Sequence, residues 1–238
     1  RLYGFKIHSH LMVNLLGATP EADKQDFKTF VTDPGFLPDE IKLYPCALVS
    51  GTQLVQKYHE GAWQPYNKDE LLDVLVQDVL ATPPYVRISR MIRDISATDI
   101  LVGNKHTNLR QMVEQELAAK DVASRVQEIR FREINQQQVS AAELTLQDFV
   151  YTTAVSDEHF LQWVTADNKI AGFCRLSLPH WDKLIAGACD VTANELLVQP
   201  GQAMIRELHV YGQALSLGSE GMSAQHQGLG QKLLAKAS

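Results

Sequence analysis

Short apolar runs alternate with helical repeats along the first 90 residues. Three apolar runs predict strands, at residues 5–12, 41–48 and 85–89, the second of them broken by Pro45. Thr19 followed by Pro20 predicts the N-cap and first position of a helix. Asn67 starts a second helix, whose leucines and valines recur at helical spacing. This order predicts parallel strands with right-handed crossovers, a piece of a β/α barrel or of a doubly wound sheet.

The pattern changes in the second half of the chain. Asn108 is expected to cap a third helix running to about Lys120, with Gln111 at the capping-box position. Residues 125–140 are charged and then glutamine-rich, as in a connection between domains. Strands then dominate, at residues 149–154, 160–165, 170–178 and 204–211, with an Asp167-Asn168 hairpin turn. We therefore expect a second, antiparallel domain of α+β type from about residue 140.

Composition narrows the class of protein. The 238 residues are 45% hydrophobic with a net charge of −6, which argues against coating nucleic acid by bulk charge but allows a local basic patch. No run of about 18 apolar residues predicts a membrane span, and we expect a cytoplasmic protein. Cys46, Cys174 and Cys189 lie far apart, so they predict reduced thiols and no metal site. A start without Met and an end inside a helix-like run suggest a chain cut at both ends.

A glycine-containing turn before the last apolar helix is the strongest local motif. Such a turn presents several backbone N–H groups to phosphate oxygens, assisted by the helix dipole. The sequence matches the [Q/R]-x-x-G-x-[G/A] pyrophosphate loop of the GNAT acetyltransferases, although a loop that merely enters a helix would look similar. Its residues are Gln225, His226, Gln227, Gly228, Leu229 and Gly230.

The strand upstream of this loop carries an unusual number of polar side chains. Alternation would place Ile205, Glu207, His209 and Tyr211 on one face, and Arg206, Leu208 and Val210 on the other. In a GNAT protein the corresponding strand precedes the pyrophosphate loop, and its splayed edge receives the pantetheine and acetyl groups.

Together these segments resemble the Elongator catalytic subunit family. RELHVYG at 206–212, followed by QHQGLG at 225–230, is similar to the signature of its acetyltransferase domain. Other similar segments follow the family's order, at residues 10–20, 41–45, 51–52, 61–66, 83–87, 108–111, 160–161 and 170–176. The resemblance implies the C-terminal part of a radical SAM β/α barrel over 1–95, a connecting segment over 96–140, and an incomplete α+β GNAT domain over 141–238.

The resemblance also implies a function. Members of the family are acetyl-CoA-dependent tRNA wobble-uridine acetyltransferases, in which the radical SAM domain is thought to generate a radical on the acetyl methyl group. S-adenosylmethionine and a 4Fe-4S cluster would bind to the intact parent, whose cluster cysteines lie upstream of residue 1. Glu207, His209 and Tyr211 would line the acetyl channel as catalytic candidates, and Leu208, Val210 and residues 225–230 would bind the coenzyme. Partners would be tRNA and, beyond it, a second copy or accessory subunits.

The chain departs from the family pattern in three places. The zinc cysteines of many relatives have their counterpart in residues 128–134, which contain no thiol, so a zinc site is doubtful. The loop over 179–202 is longer than in relatives. The terminal strands and a tyrosine-bearing segment do not follow residue 238, so we expect the fragment itself to be inactive.

Basic and histidine residues suggest two further sites. Arg87, Arg90, Arg93, Lys105 and Arg110, with His106 beside them, could contact tRNA phosphates, or could form an ordinary solvated face. His8 and His10 share a strand face, as a metal pair or as barrel histidines, and Lys42 and Tyr44 could face the S-adenosylmethionine side. Two alternative functions stay open at this point: a protein lysine acetyltransferase, and a non-catalytic tRNA-binding relative.

Overall fold

The chain forms two compact units. The computed structural model describes residues 1–92, 95–96, 98–105, 107–135, 137, 139–187, 196–212 and 228–238. The first unit is His8–Arg130, and the second unit combines Arg1–Ile7 with Phe131–Ser238. The division at residue 130 differs from the expected one at residue 140, because Ile129 donates its backbone N–H to Val86 and so fastens this segment to the first unit.

The first unit contains a small parallel sheet flanked by helices. Its strands and helices are β1 His8–Val13, α1 Pro20–Thr32, β2 Glu40–Pro45, β3 Leu48–Val49, α2 Leu54–His59, α3 Lys68–Ala81, β4 Arg87–Arg90, β5 Ile100–Val102 and α4 Leu109–Ala119, and a short helix, α5 Ile129–Arg132, spans the boundary between the units.

The sheet has the order β1-β2-β4, and both strand pairs are parallel, which confirms the predicted strand–helix alternation. Ile41, Leu43 and Ile88 on one face are fully buried. Alternate residues on the other face include His10, Lys42 and other polar side chains. The predicted strand over 41–48 is in fact two strands, since β3 leaves the sheet and pairs antiparallel with β5.

The predicted helix caps are present at the first two helices and absent at the third. Thr19 accepts a hydrogen bond from the Ala22 amide, and Asn67 forms a complete capping box with Glu70, as predicted. The predicted cap at Asn108, with Gln111 in a capping box, is wrong. Asn108 has φ −100° and ψ 26° and makes no side-chain cap bond. An N-cap needs extended backbone for its side chain to reach the first amides, and Asn108 lacks it.

The second unit is built on a four-stranded antiparallel sheet. Its elements are β6 Thr145–Thr152, β7 Ser156–Val164, β8 Ile170–Pro179, α6 Trp181–Ile185, β9 Met204–Val210 and α7 Leu229–Ala237. The strand order β6-β7-β8-β9 confirms the predicted antiparallel architecture. Asn168 adopts the left-handed conformation, φ 63°, in the predicted turn between β7 and β8.

Helix α7 covers one face of this sheet. Leu233 is fully buried against Leu161 and Cys174, and Leu229 packs against Ala171. The opposite face carries charged and aromatic side chains, described below. Across the residues that the structure describes, no helix is both long and apolar enough to cross a membrane.

Candidate functional site

Strand β9 contains a bulge that changes which side chains share a face. Glu207 lies opposite Arg175 on β8, but Ile205 lies opposite the next residue, Leu176, so Arg206 is an extra residue in the strand. The predicted alternation therefore holds for Glu207, His209 and Tyr211 but fails for Ile205 and Arg206. Arg206 reaches Glu158, on the same sheet face as Glu207.

The carboxylate of Glu207 is held by two cations. Arg175 Nε donates to Glu207 Oε2 at 2.8 Å, and Lys6 Nζ lies 2.8 Å from Glu207 Oε1. The Arg175 guanidinium is buried over the rings of Phe160 and Phe173, at 5.1 and 5.3 Å from their centroids. Both carboxylate oxygens are thus fixed in direction, and 17% of the side chain is open to solvent. Glu207 is therefore a preorganised anion at the edge strand.

His209 and Tyr211 form an aromatic pair beside Glu207. Their ring centroids are 4.4 Å apart in an edge-to-face arrangement, and His209 stacks on Phe173 at 5.8 Å. Tyr211 donates its hydroxyl to Glu133 Oε1 at 3.2 Å. His209 is exposed, so its imidazole can meet a ligand along β9, while Tyr211 is partly buried.

A buried charge cluster adjoins these residues. Glu158, 1% exposed, accepts from Arg206 Nη2 at 2.7 Å and from the hydroxyls of Ser156 and Ser177 at 2.7 and 2.6 Å. Arg1 Nη1 lies 3.4 Å away. A buried carboxylate is tolerated only with such partners. Sequence reasoning missed Arg175, Lys6 and this cluster, because their partners lie far away in the chain and only the strand register reveals them.

The N-terminus of α7 lies beside the same strand. Gly228 caps the helix in the left-handed conformation, φ 67° and ψ 19°. A Cβ at Gly230 would lie 3.7 Å from Val210 Cγ2 and 3.8 Å from Leu208 Cδ2, so the first helical turn contacts β9 directly. The first N–H groups of any helix have no acceptor within it, and they attract anions. Gln225, His226 and Gln227 lie outside the described residues.

The proposed tRNA-contacting residues do not all behave alike. Arg87 and Arg90 lie on β4, opposite Glu40 and Lys42 of β2, and Arg90 is exposed. Arg110 instead turns inward: it donates to the carbonyl of Ile88 and lies 3.7 Å from Glu128.

Burial lowers the pKa of the Arg110 guanidinium, although Glu128 opposes that shift. Its role is therefore within the first unit. Lys105 is exposed at the edge of a cavity. Arg93 and His106 lie outside the described residues.

The polar face of the parallel sheet brings the strand histidines together. The ring centroids of His8 and His10 are 5.5 Å apart, and His10 meets Tyr44 edge-on at 5.8 Å. His8 Nε2 lies 3.7 Å from Glu40. Lys42 shares this face by register.

Metal ligands are not assembled in the part of the chain that the structure describes. No group of three or more histidine, cysteine or acidic side chains there could hold an ion. Cys46 and Cys174 are buried free thiols, and burial raises the pKa of Cys174 to about 11. Cys189 lies outside the described residues. In the segment expected to replace a zinc site, the buried Glu128 carboxylate accepts the Ile88 and Arg130 amides instead.

Comparison with known proteins follows the same division. Residues 38–119 match the family model of the Radical_SAM C-terminal domain. Over its whole length the chain is 39% identical to a tRNA uridine(34) acetyltransferase of Dehalococcoides mccartyi, covering 50% of that protein. It is 29% identical to Elongator complex protein 3 of Homo sapiens over 98% of the chain and 42% of that protein.

A solved structure shows the same fold. The chain superposes on the archaeal Methanocaldococcus infernus Elp3 with an N-terminal deletion with a TM-score of 0.83 and 29% identity, over 99% of this chain and 55% of that one. The chain thus spans about half the length of the curated relatives it matches.

Proposed function

Because this chain belongs to the Elongator catalytic subunit family, we propose that it is part of a tRNA wobble-uridine acetyltransferase and supplies the acetyl-CoA site. Two kinds of observation support this proposal. Relatives that match nearly the whole chain carry the name tRNA uridine(34) acetyltransferase. The β9–α7 junction in the second unit has the geometry that a diphosphate requires.

That junction is the observation on which the acetyl-CoA assignment depends. The left-handed Gly228 turns the chain into α7 so that the first amides point out of the helix end. Gly230 keeps this end within contact distance of Leu208 and Val210. Amides at a helix N-terminus bind phosphate oxygens, and a glycine there lets the ligand approach the backbone closely. A coenzyme held there by its diphosphate could extend its pantetheine arm along β9.

The polar side chains of β9 have separate roles in this proposal. Glu207 is fixed by Arg175 and Lys6, so it would orient a water molecule or the thioester by its negative charge. The exposed imidazole of His209 would line the acetyl channel. Tyr211, anchored on Glu133, would hold that ring in place.

The family's radical chemistry would come from S-adenosylmethionine and an iron–sulfur cluster bound by the intact parent. Such a cluster needs several cysteine thiolates, and the described residues bring no three ligands together. No residue of this chain is therefore assigned to the cluster, and no zinc site is proposed.

Arg87, Arg90 and Lys105 are the proposed tRNA contacts. Arg90 and Lys105 are exposed, and phosphate contact requires only accessible cations. Arg110 is left out because its guanidinium is engaged by Glu128 and the Ile88 carbonyl. In this proposal the protein acts in the cytoplasm on tRNA, with a second copy or accessory subunits as further partners.

The acetyl-CoA site can be tested by comparing ligands with and without the diphosphate. A Gly228→Ala variant strains the left-handed turn, so we expect it to weaken binding of acetyl-CoA by about tenfold. Binding of acetylpantetheine, which lacks the diphosphate, should stay unchanged. Gly187→Ala is the matched control, since Gly187 also has positive φ, 79°, with nothing within 4 Å of its Cβ position. Isothermal titration calorimetry with the full chain gives all of these affinities. Unchanged acetyl-CoA affinity in Gly228→Ala would show that the turn is only structural.

A further inference from the structure

The first unit contains a cavity that the proposed function does not use. It has a volume of about 330 Å³ and lies between α3, α4 and the loop that follows β5. Its floor is apolar, and three of the four floor side chains are buried. These residues are Leu71, Leu72, Leu109 and Met112.

The rim of the cavity is positively charged. Lys68 and Lys105 line it, both are exposed, and no carboxylate occurs among the described residues that form its wall. The chain as a whole has the opposite balance, with 28 acidic and 22 basic residues. The cavity is therefore a local cationic site on an acidic protein.

Helix ends add to this positive potential. Lys68 is the first residue of α3, and Lys105 precedes the start of α4 at Leu109. Amines are disfavoured at the positive end of a helix, where anions are stabilised. Asn108 makes no side-chain cap bond, and the first turn of α4 contains no acidic residue. Within this neighbourhood only α3 supplies local carboxylates, of which Glu70 is engaged in its capping box.

The walls are held in position before any ligand arrives. Tyr66 lines the cavity, with its hydroxyl bonded to Asp23 at 2.7 Å and its amide to Asn14 at 2.9 Å. Gly103 has φ 118°, and a Cβ there would lie 3.2 Å from the Ala47 Cα. Only glycine fits this close approach, so the loop is fixed against its neighbour. Preorganised walls reduce the entropy lost on binding.

We propose that this cavity binds a small amphipathic organic anion, with a compact apolar body on the leucine and methionine floor and one anionic group between Lys68 and Lys105. The volume is near the lower end of small-molecule sites, about 300–1,000 Å³, which fits one ring system. Apolar contact supplies affinity, and the two amines select the charge. This inference is independent of the acetyl-CoA site, which lies in the other unit.

Calorimetry with two matched probes tests the proposal. We expect 2-naphthoate to bind the full chain one-to-one, and the neutral 2-naphthalenemethanol, with the same rings, to bind at least about tenfold more weakly. Lys68→Gln/Lys105→Gln should remove this preference for the anion. Met112→Trp should block both probes by filling the floor. Lys28→Gln/Lys57→Gln, on exposed helix positions outside the cavity, changes the net charge equally and should leave both affinities unchanged.

Three results would overturn the proposal. The first is equal affinity for the two probes, which means that no anion is selected. The second is 2-naphthoate affinity that is the same in wild type and in the double lysine variant, which keeps the test valid even if Met112→Trp fails to fold. The third is displacement of 2-naphthoate by tRNA together with weaker tRNA binding by the double variant, which would assign the cavity to RNA.

Discussion

Replacing Asp78 by asparagine should change how the stability of the first unit depends on pH. Asp78 lies on α3 with 1% of its surface exposed, and neither carboxyl oxygen has a hydrogen-bond partner among the described residues. Burial, together with the nearby charge of Asp23, raises its pKa from 3.8 to about 8, and Lys24 opposes the shift only partly. The folded protein therefore keeps this carboxyl group neutral at neutral pH.

The sign follows from counting protons. Between about pH 4 and 8 the folded state holds the Asp78 proton, while the unfolded chain has released it. The free energy of unfolding should therefore fall with rising pH, by up to about 1.4 kcal/mol per pH unit. Asparagine cannot ionise and removes this dependence. Relative to wild type, Asp78→Asn should gain about 2 to 3 kcal/mol between pH 5 and pH 7.

Urea denaturation at pH 5, 6 and 7 measures this difference. Trp63 is buried in the first unit and reports its unfolding, provided that Trp163 and Trp181, which lie in the second unit, are replaced by phenylalanine. Asp73→Asn is the matched control on the same helix. Asp73 is 44% exposed and paired with Lys24, so its removal should cost under about 1 kcal/mol.

Parallel pH dependence in wild type and Asp78→Asn would refute this reasoning. It would mean that Asp78 has the same proton affinity in the folded and unfolded states, and that the burial of its carboxyl group is relieved by water. Asp73→Asn should track wild type at every pH.

Two further changes test other contacts. Gly4→Ala should destabilise the second unit by about 1–3 kcal/mol in thermal unfolding, because its Cβ would lie 2.8 Å from Met204 Sδ; Gly51→Ala, at nearly the same φ but with nothing nearby, isolates backbone strain, and an equal loss in both would contradict the contact. Arg87→Gln/Arg90→Gln should weaken tRNA binding at every sequence and reduce the slope of log affinity against log salt by about 0.7–0.9 per contact; an unchanged slope in filter binding would exclude these arginines.

Local rules predicted those parts of the fold that depend on neighbouring residues. Thr19 and Asn67 cap their helices because both side chains sit on extended backbone next to an apolar helical repeat. Asn108 has the same chemistry, but its backbone is not extended, and tertiary packing rather than sequence sets that conformation. The antiparallel sheet was predictable from strand-like runs and the Asp167-Asn168 turn.

The site was predictable only where it is local. The motif at Gly228 and Gly230 was enough to predict the helix end, because its glycines lie close together in the sequence. The partners of Glu207 were not predictable. Arg175 reaches Glu207 through a register set across a long connection, and the bulge at Arg206 then breaks the simple alternation of β9.

The seven residues Arg1–Ile7 make the second unit discontinuous in sequence, with the whole first unit inserted between its two parts. On the ribosome this heptapeptide emerges ahead of the inserted unit, yet Phe5 accepts a hydrogen bond from Arg206, 201 positions later. Closing such a distant contact is entropically costly and slow. The inserted unit can therefore finish folding while its host still waits for its last strands, and a gene for the host alone would have to splice this heptapeptide to residue 131.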